Sequence, residues 1–172
     1  MLNREDEDVV GFKLFPEHIR RGDSAFFERL LADPSIVKVV LRRDNVLATC
    51  ASVMRSALSG SYLQTNLDHL RVHIEPSDLE AFITAHDGWY SFVRERLTGQ
   101  RHVEVTYEEL VKDTPAALGR IYELLQVPHS PTLPAMDILR QTTHSTRKAV
   151  ANHHHLKVAF ASTPRANDFD DE

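Results

Sequence analysis

The sequence predicts an α/β fold, a three-layer sandwich around a central parallel sheet, and three segments carry that prediction. Ile36 to Leu41 is a largely apolar, β-branched run of strand length. Helical spacing of apolar residues follows at Val46, Leu47, Cys50, Val53, Met54, Ala57 and Leu58, so a strand passes almost directly into a helix. His102 to Thr106 repeats the pattern, with Val103 and Val105 on one face and a helix opened by Thr114-Pro115 after it. Alternation of this kind needs crossover connections, which make neighbouring strands parallel.

The remaining elements follow in chain order. Val9 to Phe15 reads as a short strand entered from an acidic lead. Asp23 or Ser24 caps a helix through Leu31, which ends near Asp33-Pro34. Gly60 ends the helix that begins near Val46. Gln64 to Ile74 has no clear period. Pro76 opens a long helix to about Leu97, with Ser77 and Glu80 spaced as a capping box and Gly99 closing it. Leu118, Ile121, Tyr122 and Leu125 form the apolar stripe of a helix running through Gln126. Pro128, Pro131 and Pro134 then interrupt regularity. A last helix is predicted near Asn152 to Ala161, before an acidic tail expected to fray over 163–172, as residues 1–8 are at the other end. No internal repeat or domain boundary is visible, and 1–172 reads as one domain.

Composition narrows the function. A chain of 172 residues, 42% hydrophobic, can bury one sizeable core. A formal charge of −5 argues against non-specific nucleic-acid binding, which needs a basic face. The one cysteine, Cys50, permits no internal disulfide and falls on the apolar side of its helix. No apolar run reaches membrane-spanning length, and the acidic N-terminus lacks the pattern of a secretory leader. These features lead to a cytoplasmic protein as the expectation and leave its oligomeric state open.

Chemistry concentrates at Arg42-Arg43-Asp44-Asn45, where the apolar strand ends and a helix starts. The first turn of a helix has unpaired N–H groups and the positive end of the macrodipole. Two guanidiniums there add bidentate donors suited to phosphate. Thr49 and Ser52 place hydroxyls further along the same helix. The competing reading is a solvated turn in which Asp44 or Asn45 simply caps the helix.

Three blocks together resemble the sulfotransferases that use 3′-phosphoadenosine 5′-phosphosulfate (PAPS), above all the bacterial branch acting on carbohydrates and other small hydroxyl compounds. Gly11-Phe12-Lys13-Leu14-Phe15-Pro16-Glu17-His18 is similar to an early strand of that family and the segment after it. Val40 to Ser52 resembles its 3′-phosphate-binding strand and helix. Val105-Thr106-Tyr107-Glu108-Glu109-Leu110-Val111 resembles its late strand. Arg140 through His153 is a weaker match to its C-terminal segment. The resemblance implies a fold like that of the P-loop nucleotide hydrolases. It also implies a Ser/Gly-rich 5′-phosphosulfate loop after a first strand, and no such loop stands before Lys13. Ser59-Gly60-Ser61 has suitable residue types but follows a helix, where a C-cap is the simpler reading. The chain is therefore expected to be N-terminally truncated, or to be a divergent member without the loop.

Roles for individual residues follow from the resemblance. Arg43 and Ser52 would hold the 3′-phosphate, with Arg42 as the fallback, because neighbours on a strand point to opposite sides. Tyr107 would meet the adenine, and Arg147 and Lys148 the same nucleotide. Lys13 would stabilise the transferring group. His18 is the candidate base, with Glu17 its rival. His153-His154-His155 does not read as a metal site, since adjacent helical residues face different ways and no carboxylate or cysteine completes a ligand set. PAPS is thus the expected co-substrate, a small hydroxyl compound the acceptor, and no metal is called for. The alternative is a catalytically incomplete, nucleotide-binding relative of the same fold that acts through partner contact.

Overall fold

The structure, a computed structural model, describes residues 9–15, 24–60, 66–129 and 145–170. Its elements are α1 (Ser24–Ala32), β1 (Lys38–Arg42), α2 (Val46–Ser59), α3 (Pro76–Leu97), β2 (His102–Thr106), α4 (Tyr107–Lys112), α5 (Thr114–Leu125), α6 (Thr146–Ala149), α7 (His153–Ala159) and a 3-10 turn at Ala166–Phe169. The chain divides into two compact units, Met1–Arg42 with Gly88–Leu133, and Arg43–Asp87 with Pro134–Glu172.

The first unit holds the sheet. β1 and β2 pair in parallel, from Lys38 opposite His102 to Arg42 opposite Thr106. Phe27 and Leu31, one turn apart on α1, pack with Val93 and Leu97, one turn apart on α3, and half-buried Val40, Trp89 and Phe92 complete the cluster. Trp89 stacks on Phe92 with ring centres 5.7 Å apart and tilts against Phe27 at 5.3 Å. Gly99, at φ +77°, takes the left-handed conformation that ends α3. Glu104 on β2 accepts from Arg42 Nε at 2.7 Å and from Arg94 Nε at 2.8 Å. Arg94, then Arg42, hold its carboxyl below the ordinary glutamate range against the opposing effect of burial.

β2 passes into α4 without a loop. Thr106 ends the strand and caps the helix: its hydroxyl accepts from Glu109 N at 3.1 Å, while Glu109 accepts from Thr106 N at 2.8 Å. Asp113 then caps α5 through Ala116 N at 3.0 Å, with Pro115 in the first turn.

The second unit is built on α2. Leu47, Cys50 and Ala51 pack with Val72, Ile74 and Leu79, and with Val150, Leu156, Phe160 and Phe169 from the C-terminal segment. Val72 and Val150 form a parallel bridge. Asn152 extends it through its side chain: the amide donates to Ile74 O at 2.8 Å and accepts from Ile74 N at 3.1 Å, satisfying a buried residue's backbone. Among the described residues no helix is long and apolar enough to cross a membrane.

Several expectations are corrected. Val9–Phe15 is not a strand; it pairs with no described strand, and Val9, Val10, Phe12, Leu14 and Phe15 are all exposed. A short apolar run does not make a strand without a ladder partner. β1 starts at Lys38 rather than Ile36, and its Val39 and Leu41 are 43% and 49% exposed, so the strand is covered on one face only. Ser77 lies inside α3 and does not cap it. The tail expected to fray includes the Ala166–Phe169 turn, because Phe169 inserts into the core at 2% exposure.

Asn152→Ala is predicted to lower stability by roughly 1–3 kcal/mol, since two backbone groups of Ile74 lose their partner in a buried place. Cys50 reports on this unit: it is 3% exposed, and burial, with Asp78 adding to it, pushes its thiol up to about 11. It should resist alkylation at mildly alkaline pH in the native protein and label faster in the variant. Equal urea midpoints and equal labelling rates would refute the role given to Asn152.

Candidate functional site

The first turn of α2 is the natural starting point. Asn45 caps it, accepting from Ala48 N at 2.8 Å, and Thr49 donates its hydroxyl to Asn45 O at 3.0 Å. The Val46 N–H donates to Asp168 Oδ2 at 3.2 Å, and Asn45 Nδ2 donates to Asp168 O at 3.1 Å. The amides expected to be open to an anion are therefore partly taken, by the cap and by a carboxylate supplied from the C-terminal turn. This is the same attraction of negative charge to a helix N-terminus that the sequence suggested, met from within the protein.

Asp168 belongs to a charged cluster that sequence reasoning missed. Arg165 pairs with Asp87 and lies 3.9 Å from Asp168 Oδ2, and His86 Nδ1 is 3.0 Å from Asp87 Oδ1. Burial pushes the Asp168 carboxyl above the ordinary aspartate range, only partly offset by Arg165 and the Val46 amide. Burial acts the same way on Asp87, but hydrogen bonds from Arg165 and His86 outweigh it and hold that carboxyl low. The sequence signal available was Arg165 followed by Asp168, three residues apart within one turn, in a tail otherwise read as solvated.

The predicted residues separate by unit. Arg43, half-buried, stands just before the cap of α2, and Ser52 is half-buried on α2 itself. Six helical rises, about 9 Å of axis, separate Val46 from Ser52, a span that a guanidinium and a phosphate can share. Arg147 and Lys148 are exposed on α6 of the same unit. In the first unit, Arg42 is turned to Glu104. Tyr107 is the first residue of α4 and is 37% exposed, and Lys13 places its ammonium 4.5 Å from the Phe15 ring centre. Glu17 and His18 lie outside the described residues. Gly60, at φ +66°, is the C-cap of α2, and Ser59 donates to Ser56 O at 3.1 Å. His153 is buried and His154 and His155 are exposed, and among the described residues no three metal-binding side chains converge.

The order of parallel strand, short turn and capped helix at β1 and α2 is that of an α/β protein. The family model described as "Sulfotransferase family" matches residues 27–131, more than half of the chain, and the chain belongs to that family. Nodulation protein H of Rhizobium meliloti is 26% identical over 165 residues, which cover 94% of this chain and 66% of that protein. The protein of the same name from Rhizobium meliloti strain 1021 is 25% identical over 165 residues with the same coverage. The chain thus spans 66% of the length of the curated relatives it matches. No solved structure matches it. The matched segment includes Arg42, Arg43, Ser52 and Tyr107, while Lys13, His18, Arg147 and Lys148 fall outside it.

The Asp168 contact makes a signed prediction. A carboxyl whose value is raised on folding stabilises the protein fully at low pH and loses that contribution as pH rises through the folded value. The stability of wild type relative to Asp168→Asn should therefore fall between the ordinary aspartate range and neutrality. Denaturant titrations across that interval check it; a difference that is flat or grows with pH contradicts the burial argument.

Proposed function

We propose that the protein moves a sulfuryl group from PAPS to a hydroxyl of a carbohydrate or other small acceptor. The carrying observation is the sulfotransferase match over residues 27–131, which contains the strand–arginine–helix segment. In this reading the chain is one sulfotransferase-like domain in which the two described strands belong to a three-layer sandwich. The exposed face of β1 supports a wider arrangement, since parallel sheets are ordinarily covered on both faces. The setting proposed is the cytoplasm, where a single free thiol is at home.

The chemistry requires that the acceptor oxygen bond to sulfur while the bond from sulfur to the 5′-phosphate oxygen breaks. Adenosine 3′,5′-bisphosphate leaves with the negative charge, and the acceptor proton passes to a base. Arg43 and Ser52 anchor the 3′-phosphate, which fixes the donor so that the transfer can run in line. Tyr107 meets the adenine, and Arg147 and Lys148 add positive charge to the nucleotide. Lys13 offsets charge at the transferring group, and His18 accepts the proton. The reaction in this form needs no metal.

Arg43→Ala should cost roughly 1.5–3 kcal/mol of adenosine 3′,5′-bisphosphate binding, the worth of a charge-assisted bidentate contact. Calorimetry on wild type, Arg43→Ala and Arg42→Ala decides between the two arginines. Unchanged affinity in both variants would remove the 3′-phosphate from this strand end. Transfer of radiolabelled sulfate from PAPS to a panel of hydroxyl acceptors tests the activity itself.

A further inference from the structure

Three consecutive residues directly after Arg43 are gripped by one short stretch of the C-terminal segment. Arg165 Nη1 donates to Asp44 O at 3.4 Å. Asn45 Nδ2 donates to Asp168 O at 3.1 Å, and Val46 N donates to Asp168 Oδ2 at 3.2 Å. All of these residues belong to the second unit, as Arg43 does. Residues 165–168 lie outside the segment that the sulfotransferase match covers. We propose that Arg165 and Asp168 are positioning residues: they fix the turn that carries Arg43, and so set the strength of its hold on the donor's 3′-phosphate. The inference rests on the reading of Arg43 as the 3′-phosphate anchor.

The grip is itself braced. Arg165 pairs with Asp87 and lies 3.9 Å from Asp168 Oδ2. Its backbone N–H donates to Thr163 Oγ1 at 3.2 Å, and that hydroxyl donates to Phe160 O at 2.8 Å. Phe160 and Phe169 are both buried, with ring centres 5.6 Å apart. Residues 165–168 thus run between two anchors in the core of the unit. Helix α2 does not depend on them for its cap, which Asn45 supplies through Ala48 N. What they add is a fixed path for the chain into the helix. Arg43 immediately precedes Asp44, and its side chain is long, so a backbone free to turn there would spread the guanidinium over many positions. Binding would then have to order the turn as well as the side chain, at the expense of affinity. A turn already ordered by Arg165 and Asp168 avoids that loss. Charge alone gives the opposite expectation for Asp168, since a carboxylate beside a phosphate site repels its ligand. The two accounts therefore differ in sign.

Calorimetry with adenosine 3′,5′-bisphosphate and adenosine 5′-phosphate isolates the 3′-phosphate. Asp168→Ala and Arg165→Ala should each weaken the bisphosphate about tenfold and leave the monophosphate within about twofold. Asp168→Asn, whose amide oxygen can still accept from Val46 N, should restore most of the loss. In an Arg43→Ala background, Asp168→Ala should have no further effect, because it acts through that side chain. Asp168→Ala keeps the backbone carbonyl that Asn45 meets and the buried Phe169, so the test stands on it even where Arg165→Ala does not fold. Equal weakening of both nucleotides is the mark of a merely structural role and overturns the proposal. Bisphosphate affinity that is unchanged or higher in Asp168→Ala, or losses that add to those of Arg43→Ala, also overturn it. Each of these outcomes leaves the sulfotransfer reading intact, as does bisphosphate binding indifferent to Arg43→Ala, which removes the proposal alone. Wild-type protein that binds no adenosine 3′,5′-bisphosphate would instead sink that reading, and this proposal with it.

Discussion

Helix α2 begins against a carboxylate from the far end of the chain, and much of the second unit depends on that contact. Asp168 accepts from Val46 N, and the neighbouring Phe169 is driven into the core. Asn45 works in both directions, capping its own helix and donating to the Asp168 carbonyl. Arg165 then lies between Asp87 and Asp168, so that one buried-side acid is balanced and the other less so. A helix start that might have been open to solvent is closed by chemistry of the same kind that binds an external anion. A phosphate near Arg43 would therefore rely on guanidinium and hydroxyl donors more than on the helix amides.

The first unit sorts its charges differently. Glu104 gathers Arg42 and Arg94 on one side of the sheet. Arg42 and Arg43 look equivalent in sequence, yet Arg42 is the last residue of β1 and Arg43 lies in the turn before α2. Glu104 stands two residues before Thr106, on the strand that delivers Tyr107.

What the sequence made legible was what local chemistry controls. The long helix from Pro76 to Leu97, the glycine stops at Gly60 and Gly99, and the strand at His102–Thr106 all follow from nearby residues. The S/T-x-x-E pattern was read at Ser77 and Glu80, where Pro76 had already started the helix, and passed over at Thr106 and Glu109, where it operates. The apolar residues of Val9–Phe15 suggested a short strand, but strand formation needs a partner that no local pattern reports. Arg42 and Arg43 were legible as the end of a strand because an apolar run of strand length precedes them. Asp168, which meets the start of α2, was not, because more than a hundred residues lie between them and only the folded chain brings them together.

Thr106 is at once the last rung of the ladder and the cap of α4. With no linker between the two elements, there is no slack to absorb change, and Tyr107 inherits its direction from the sheet itself. One extra residue after Thr106 would have to enter either the ladder or the helix, and in the helix it would swing every later side chain by about 100°. Length variation among relatives should therefore avoid this junction and collect in the segments that flank it. The aromatic ring at position 107 is in effect machined onto the sheet, while the rest of the surface remains free to be recut.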